Sequence, residues 1–191
     1  MHLVSPKRVF RGNKAWTKAL PEVSKLAKSP LLLGRSNSTY PLRQKILNDL
    51  SLFNSKAINE TLFFDCCEED LNRLRDIAFR KNCDAIITAG GGKVLDAGKI
   101  LANLLSIPCI TVPLSAATCA GWTALGNIYS PQGQFIRDVN LNSCPDILVF
   151  DYSFIKTAPK NTITSGIADS LAKWYESSIT SSSNKDGLVQ Q

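Results

Sequence analysis

Short apolar runs alternate with helical spacings along most of this chain. Leu3 to Phe10 reads as a strand leading into Arg11-Gly12-Asn13. From Lys14 onward, Trp16, Leu20, Val23 and Ala27 recur at helical spacing, and Pro30 ends that segment. Leu31–Leu33 is a short buried strand closed by Gly34. Leu42, Ile46 and Leu50 mark a second helix with Pro41 in its first turn. Leu62-Phe63-Phe64 is a further strand candidate. The helix after it carries Leu71, Leu74, Ile77 and Ala78 on one face, with Glu68, Glu69 and Asp70 in its first turn, where the dipole favours acids.

The next unit predicts a strand over Ala85–Ala89, three glycines, and a helix through Leu105 whose apolar face includes Val94, Ile100, Leu101, Leu104 and Leu105. Ile110–Val112 is the strand that follows. Strands alternating with helices predict an α/β fold: a Rossmann-like parallel sheet with helices on both faces. After Pro113 the pattern changes. Small and hydroxyl residues crowd Ser115–Thr123, and Pro131-Gln132-Gly133 looks like a hairpin turn. Ile147–Phe150, closed by Asp151, is one more buried strand. From Gly166 the spacing of Ile167, Leu171, Trp174, Tyr175 and Ile179 is helical. The stretch from Ser181 to Gln191 reads as a helix connection and the start of another helix.

The chain has 191 residues, 44% hydrophobic and 20% charged, as expected for a globular domain with a real core. Its 22 basic and 16 acidic residues give a net charge of +6, scattered rather than clustered, which argues against nucleic acid as a partner. No charge occurs between Lys99 and Arg137, but Pro108, Pro113 and Pro131 break any membrane-span reading. Cys66, Cys67, Cys83, Cys109, Cys119 and Cys144 include no C-x-x-C pair, and His2 is the one histidine. Free thiols in a reducing cytoplasm are the expectation.

The candidate chemistry sits in Gly90-Gly91-Gly92-Lys93, between a strand and a helix. Three glycines open conformations closed to other residues and leave no side chains in a ligand's way. Amides of the turn and of the helix start, together with the Lys93 charge, suit the phosphate of a nucleotide. The turn is neither a Walker loop nor G-x-G-x-x-G, and a plain tight turn with Lys93 in solvent is the competing reading. Asp96 falls in the expected first helical turn, either as a dipole complement or to orient the lysine or the cofactor.

The run Gly90-Gly-Gly-Lys-Val-Leu-Asp-Ala-Gly-Lys99 resembles the G-G-G-K-x-x-D-x-x-K of the iron-containing, metal-dependent alcohol dehydrogenases, in their glycerol dehydrogenase-like branch. Thr118-Cys-Ala-Gly-Trp-Thr-Ala-Leu-Gly-Asn-Ile-Tyr129 is similar to that family's T-D-A-P-T-S-A-L-S-V-I-Y. Cys144-Pro-Asp-Ile-Leu-Val-Phe-Asp151, Ala158-Pro159 and Gly166-Ile-Ala-Asp-Ser-Leu-Ala-Lys-Trp-Tyr-Glu176 match its later motifs in order. The resemblance implies a dehydroquinate synthase-like N-terminal domain over 1–158, which binds the dinucleotide. It also implies that 159–191 begin an all-helical metal-binding domain that is incomplete here.

Carried over by resemblance, Gly90, Gly91, Gly92 and Lys93 would hold the pyrophosphate, with Val94, Leu95 and Asp96 beside them. Thr118, Thr123, Leu125 and Tyr129 would lie along the cofactor, and Asp169 would be a metal ligand. Asp169 is otherwise an acid in the first turn of a helix. The family's substrate-side aspartate falls on Cys119, which cannot accept hydrogen bonds from a polyol as a carboxylate does. Glycerol itself is therefore disfavoured, although an alcohol or aldehyde is still the expected substrate. After Leu33, where NAD-using relatives place an acid, stand Gly34-Arg35-Ser36. Arg35 and Ser36 suit a 2′-phosphate, so NADP is expected over NAD.

The implied Zn²⁺ or Fe²⁺ needs two histidines besides Asp169, and a metal cannot be held by one carboxylate. The chain alone is therefore expected to be inactive, as a truncated or split oxidoreductase. The alternatives are a non-catalytic NAD(P)-binding module, or a glycerol-1-phosphate dehydrogenase or 3-dehydroquinate synthase relative. Self-association is a further implication of the family.

Overall fold

Alternate residues of the central strands face opposite sides and are buried on both, the mark of a parallel sheet sandwiched between helices. The computed structural model describes residues 5–183. In chain order the elements are β1 (Arg8–Gly12), α1 (Ala15–Leu26), β2 (Leu31–Gly34), α2 (Tyr40–Leu52), β3 (Ile58–Thr61), α3 (Glu68–Arg80), β4 (Ile86–Gly90), α4 (Gly92–Leu105) and β5 (Cys109–Pro113). Then come β6 (Leu125–Tyr129), β7 (Phe135–Asn140), β8 (Ile147–Asp151), α5 (Tyr152–Ile155) and α6 (Lys160–Ser183). Six strands form one parallel sheet in the order β1-β8-β5-β4-β2-β3. β6 and β7 pair antiparallel around Gly133, whose φ of 86° supplies the left-handed residue of the expected hairpin turn.

On one face Leu32, Ile87, Ile110 and Val149 pack under α1 and α2, through Trp16, Leu20, Ile46 and Leu50. On the other, Leu31, Leu33 and Ile86 pack under α3 and α4, through Leu71, Leu74, Ala97 and Leu101. Asp151 at the end of β8 accepts the Trp16 amide at 2.9 Å and the Ser153 amide at 2.8 Å, tying the starts of α1 and α5 to one strand end. Pro21 lies inside α1. Pro21 has no N–H for the Thr17 carbonyl one turn back, and Thr17 is exposed, so that carbonyl is open to solvent.

Several expectations are corrected. Leu62–Phe64 is not a strand: β3 lies just before it, at Ile58–Thr61, on the sheet edge, and Phe63 and Phe64 are exposed. Leu104 is 55% exposed and does not share the apolar face of α4. α6 begins at Lys160, so Asp169 is in its third turn rather than its first. The large side chains of Ile163, Ile167, Leu171 and Trp174 on α6 are exposed. Ser181–Ser183 continue α6, and the remainder of the expected tail, like His2 and Leu3, lies outside the described residues.

No helix among the described residues is long and apolar enough to cross a membrane. The six cysteines form no disulfide. Burial pushes the Cys109 thiol up to about 12 and raises that of Cys66 further, so both behave as small apolar groups.

Candidate functional site

The helices that leave β4 and β2 go to opposite faces of the sheet. α4 packs with Leu31 and Leu33, whereas α2 packs with Leu32. β4 and β2 are adjacent and parallel, with Leu31 level with Ile86 and Leu33 with Thr88. Their carboxyl ends therefore diverge at a topological switch point, where open α/β sheets bind ligands. A cleft of about 240 Å³ lies there, lined by Arg35, Ser36 and Thr39 after β2 and by Gly90–Val94 after β4.

The glycine turn is built for close approach rather than for unusual dihedrals. None of its three glycines has a positive φ; among the described glycines only Gly12 and Gly133 do. A Cβ on Gly90 would come within 2.8 Å of the Val94 side chain, and one on Gly92 within 2.9 Å of Thr118 Cγ2. A Cβ on Gly91 would meet only Ser115 Oγ, at 3.8 Å. Gly90 and Gly92 are thus needed by the protein's own packing, and Gly91 leaves space open. Gly91 caps α4, and the Val94 and Leu95 amides turn back onto its carbonyl at 3.0 and 3.1 Å. The amides of Gly92 and Lys93 are among those a helix start leaves without intrahelical acceptors.

A second cleft, of about 540 Å³, meets the first at Gly92 and Lys93. Its walls are Asp96 of α4, Thr118, Cys119 and Thr123 of the loop before β6, and Leu125 and Tyr129 of β6. Asp169 and Lys173 of α6 close it. The loop and α6 meet where Gly166 lies against the Ala116 carbonyl, so close that no Cβ could stand there. The two clefts bring together every residue singled out from the sequence except Leu95, which is 1% exposed and buried in the core.

The polar groups of these clefts are already organised. Lys93 Nζ is not loose in solvent: it donates to Asp65 Oδ2 at 2.6 Å and stands 4.4 Å from the centre of the Tyr129 ring. Arg35 pairs with the other oxygen of Asp65. Burial alone would push the Asp65 carboxyl up, but the Lys93 hydrogen bond and the Arg35 charge outweigh it and hold the group below the usual carboxylate range.

Asp96 neither complements the dipole nor orients Lys93. It is buried, pairs with Lys99 at 3.0 Å, and faces the Asn127 amide at 3.4 Å. Burial raises its pKa against the pull of Lys99. Lys99 also donates to the Thr123 carbonyl at 3.2 Å, the Thr123 hydroxyl at 3.1 Å and the Leu125 carbonyl, fixing the loop across the cleft.

Asp65 and Arg43 escape a reading of the sequence. Arg43 of α2 is 1% exposed and packs against Gly34, donating through Nη2 to the Ser36 carbonyl at 3.2 Å. Its Nε and Nη1 have no hydrogen-bond partner among the described residues, and burial pushes its pKa down. It lies directly behind the loop that lines the first cleft. The local cue for it is a long basic residue at a helical core position.

Asp169 is paired with Lys173 at 2.6 Å, a hydrogen bond that raises the lysine's pKa. No group of three or more histidine, cysteine, aspartate or glutamate residues among the described residues is placed to hold a metal ion.

Comparison with known proteins shows the family and the fold. The family model for iron-containing alcohol dehydrogenases matches residues 6–152. An uncharacterized oxidoreductase of Synechocystis sp. is 40% identical over 184 residues, covering 96% of this chain and 47% of that protein. Glycerol dehydrogenase 1 of Schizosaccharomyces pombe is 31% identical, covering 97% of this chain and 41% of its own length.

Among solved structures, a probable glycerol dehydrogenase from Sinorhizobium meliloti 1021 superposes with a TM-score of 0.77 at 25% identity, over 91% of this chain and 46% of that one. The glycerol dehydrogenase structure from Schizosaccharomyces pombe gives 0.76 at 29% identity, over 91% and 44%. The chain thus spans about half the length of these relatives. Its sheet order, its glycine–lysine turn and the matched residues place it in one group: this chain belongs to the iron-containing alcohol dehydrogenase family.

Proposed function

We propose that the edge between β4 and β2 binds a nicotinamide dinucleotide, and that the chain is the nucleotide-binding part of an NAD(P)-dependent, metal-dependent alcohol dehydrogenase. The observation that carries this is the meeting of the Gly90–Lys93 turn, at the start of α4, with a cleft at the switch point of the sheet. The amides of Gly92 and Lys93, beside the opening that Gly91 leaves, would hold the diphosphate together with the Lys93 ammonium. Arg35 and Ser36 would line the adenosine side, and Thr118 and Tyr129 the nicotinamide side. When bound, the nicotinamide supplies the hydride chemistry.

NADP is favoured over NAD. Arg35 and the Ser36 hydroxyl border the adenosine side, and the unpartnered donors of Arg43 lie behind the same loop. An alcohol or aldehyde occupies the second cleft beside Cys119, which is exposed there. Relatives named glycerol dehydrogenase support a polyol, whereas a thiol at this position disfavours glycerol itself.

The described residues do not fit a metal centre by themselves, since Asp169 is a single carboxylate already paired with Lys173. His2, the one histidine of the sequence, lies outside them. In this reading residues 159–191 begin the helical metal-binding domain, and these 191 residues alone are expected to show no alcohol oxidation. Turnover by the isolated chain in added Zn²⁺ or Fe²⁺ would contradict that. A cofactor-binding module without chemistry is the second reading, favoured by the same incomplete ligand set.

Titration with NADH and NADPH, followed by nicotinamide fluorescence, tests the proposal. Both should bind the folded chain, and Lys93→Ala should weaken both about tenfold, the worth of one charge-assisted contact. Binding of neither cofactor would remove the dehydrogenase reading and the module reading together.

A further inference from the structure

Among the described residues, Asp65 is the one carboxylate that contacts both candidate phosphate-binding cations, yet it belongs to neither cleft wall. It follows β3, is 6% exposed, and reaches Lys93 across 28 positions of sequence. One oxygen faces Lys93 and the other Arg35. The hairpin approaches it as well, since a Cβ on Gly133 would stand 2.9 Å from Asp65 Oδ2.

From this arrangement we infer that Asp65 is a positioning residue that sets cofactor choice, by holding Arg35 and offsetting its charge. The inference rests on the dinucleotide reading given above. A guanidinium has five N–H donors and can hold Asp65 with one edge while presenting another to a ligand. The side chain of Arg35 is 42% exposed and lines the cleft, so that second edge is accessible. The carboxylate sits behind it as a fixed negative charge. A ribose with two free hydroxyls gains from an oriented donor and is indifferent to that charge. A ribose carrying a 2′-phosphate gains from the donor and is repelled by the carboxylate. Asp65 thus restrains NADP more than NAD. Its effect through Lys93 falls on the diphosphate that both cofactors share, and so cancels in their ratio.

The test is the ratio of Kd for NADH to Kd for NADPH, measured on the whole chain by fluorescence titration. Asp65→Asn keeps the shape and should shift the ratio toward NADPH about tenfold. Asp65→Glu should leave it near the wild-type value, and Arg35→Gln combined with Asp65→Asn should abolish the shift. A residue needed only for folding would weaken both cofactors alike, so an unchanged ratio in Asp65→Asn overturns the inference while leaving the dinucleotide reading intact. Should Asp65→Asn not fold, by near-ultraviolet circular dichroism, Arg35→Gln alone decides. A larger loss of NADPH affinity than of NADH affinity supports the inference, and equal effects on both cofactors reject it. Failure of the wild-type chain to bind either cofactor overturns both readings.

Discussion

Gly98 of α4 lies against Thr88 of β4 so closely that a Cβ on the glycine would come within 2.6 Å of the Thr88 Cβ. Thr88 is fully buried and donates from Oγ1 to the Val94 carbonyl at 2.7 Å, one turn back along the helix. This contact sets how deep α4 seats on the sheet, and so where the Gly90–Lys93 turn stands. Alanine inside a helix is ordinarily favoured over glycine by about 1 kcal/mol. Here crowding reverses the sign. Gly98→Ala should cost about 1–3 kcal/mol in urea unfolding, whereas Leu104→Ala on the exposed face should change stability by less than about 0.5 kcal/mol beyond propensity.

Gly91 and Gly90 should separate binding from folding. Gly91 faces open space, so Gly91→Asp should leave the melting temperature nearly unchanged while lowering cofactor affinity more than about tenfold, by placing an anion at the diphosphate position. Gly90→Ala meets Val94 at 2.8 Å and should instead lower stability. Calorimetry and fluorescence titration on the two variants check this.

The Asp96–Lys99 pair links α4 to the loop that walls the second cleft. Both residues are buried, so Lys99→Met leaves an unpaired carboxylate and abandons the Thr123 and Leu125 carbonyls. A loss of about 3–5 kcal/mol is expected. Asp96→Leu combined with Lys99→Met should recover part of it, as read by denaturant midpoint.

Acid should weaken the Asp65 contacts in a defined direction. Its folded pKa is below the unfolded value of about 3.9. The stability it contributes is therefore full above that value and is lost as pH falls through the lower folded pKa. The melting-temperature difference between wild type and Asp65→Asn should be constant above about pH 5 and shrink toward pH 3.

The sheet is legible in the sequence because its central strands are unbroken apolar runs: Leu31–Leu33, Ile86–Ile87 and Ile147–Phe150 could be little else. β3 is not, because Ile58-Asn59-Glu60-Thr61 is an edge strand with one wet side, while the more apolar Leu62–Phe64 beside it is loop. The start of α6 is hidden because Lys160–Thr162 offer no apolar signal before Ile163. The glycine turn stands out, but for a reason the backbone does not use: its residues need small volume, not positive φ. Asp65 is invisible because nothing local marks it. Its role arises only when β3, α4 and the loop after β2 meet at one edge.

Amide chemical shifts on an isotope-labelled chain test the central claim most directly. On adding NADPH, the amides of Gly91, Gly92, Lys93 and Ser36 should move most and saturate together. Those around the cleft at the opposite end of the strands, by Cys109 and Pro145, should stay in place. Shifts centred on Cys109 and its neighbours, with Gly91–Lys93 unmoved, would contradict the account.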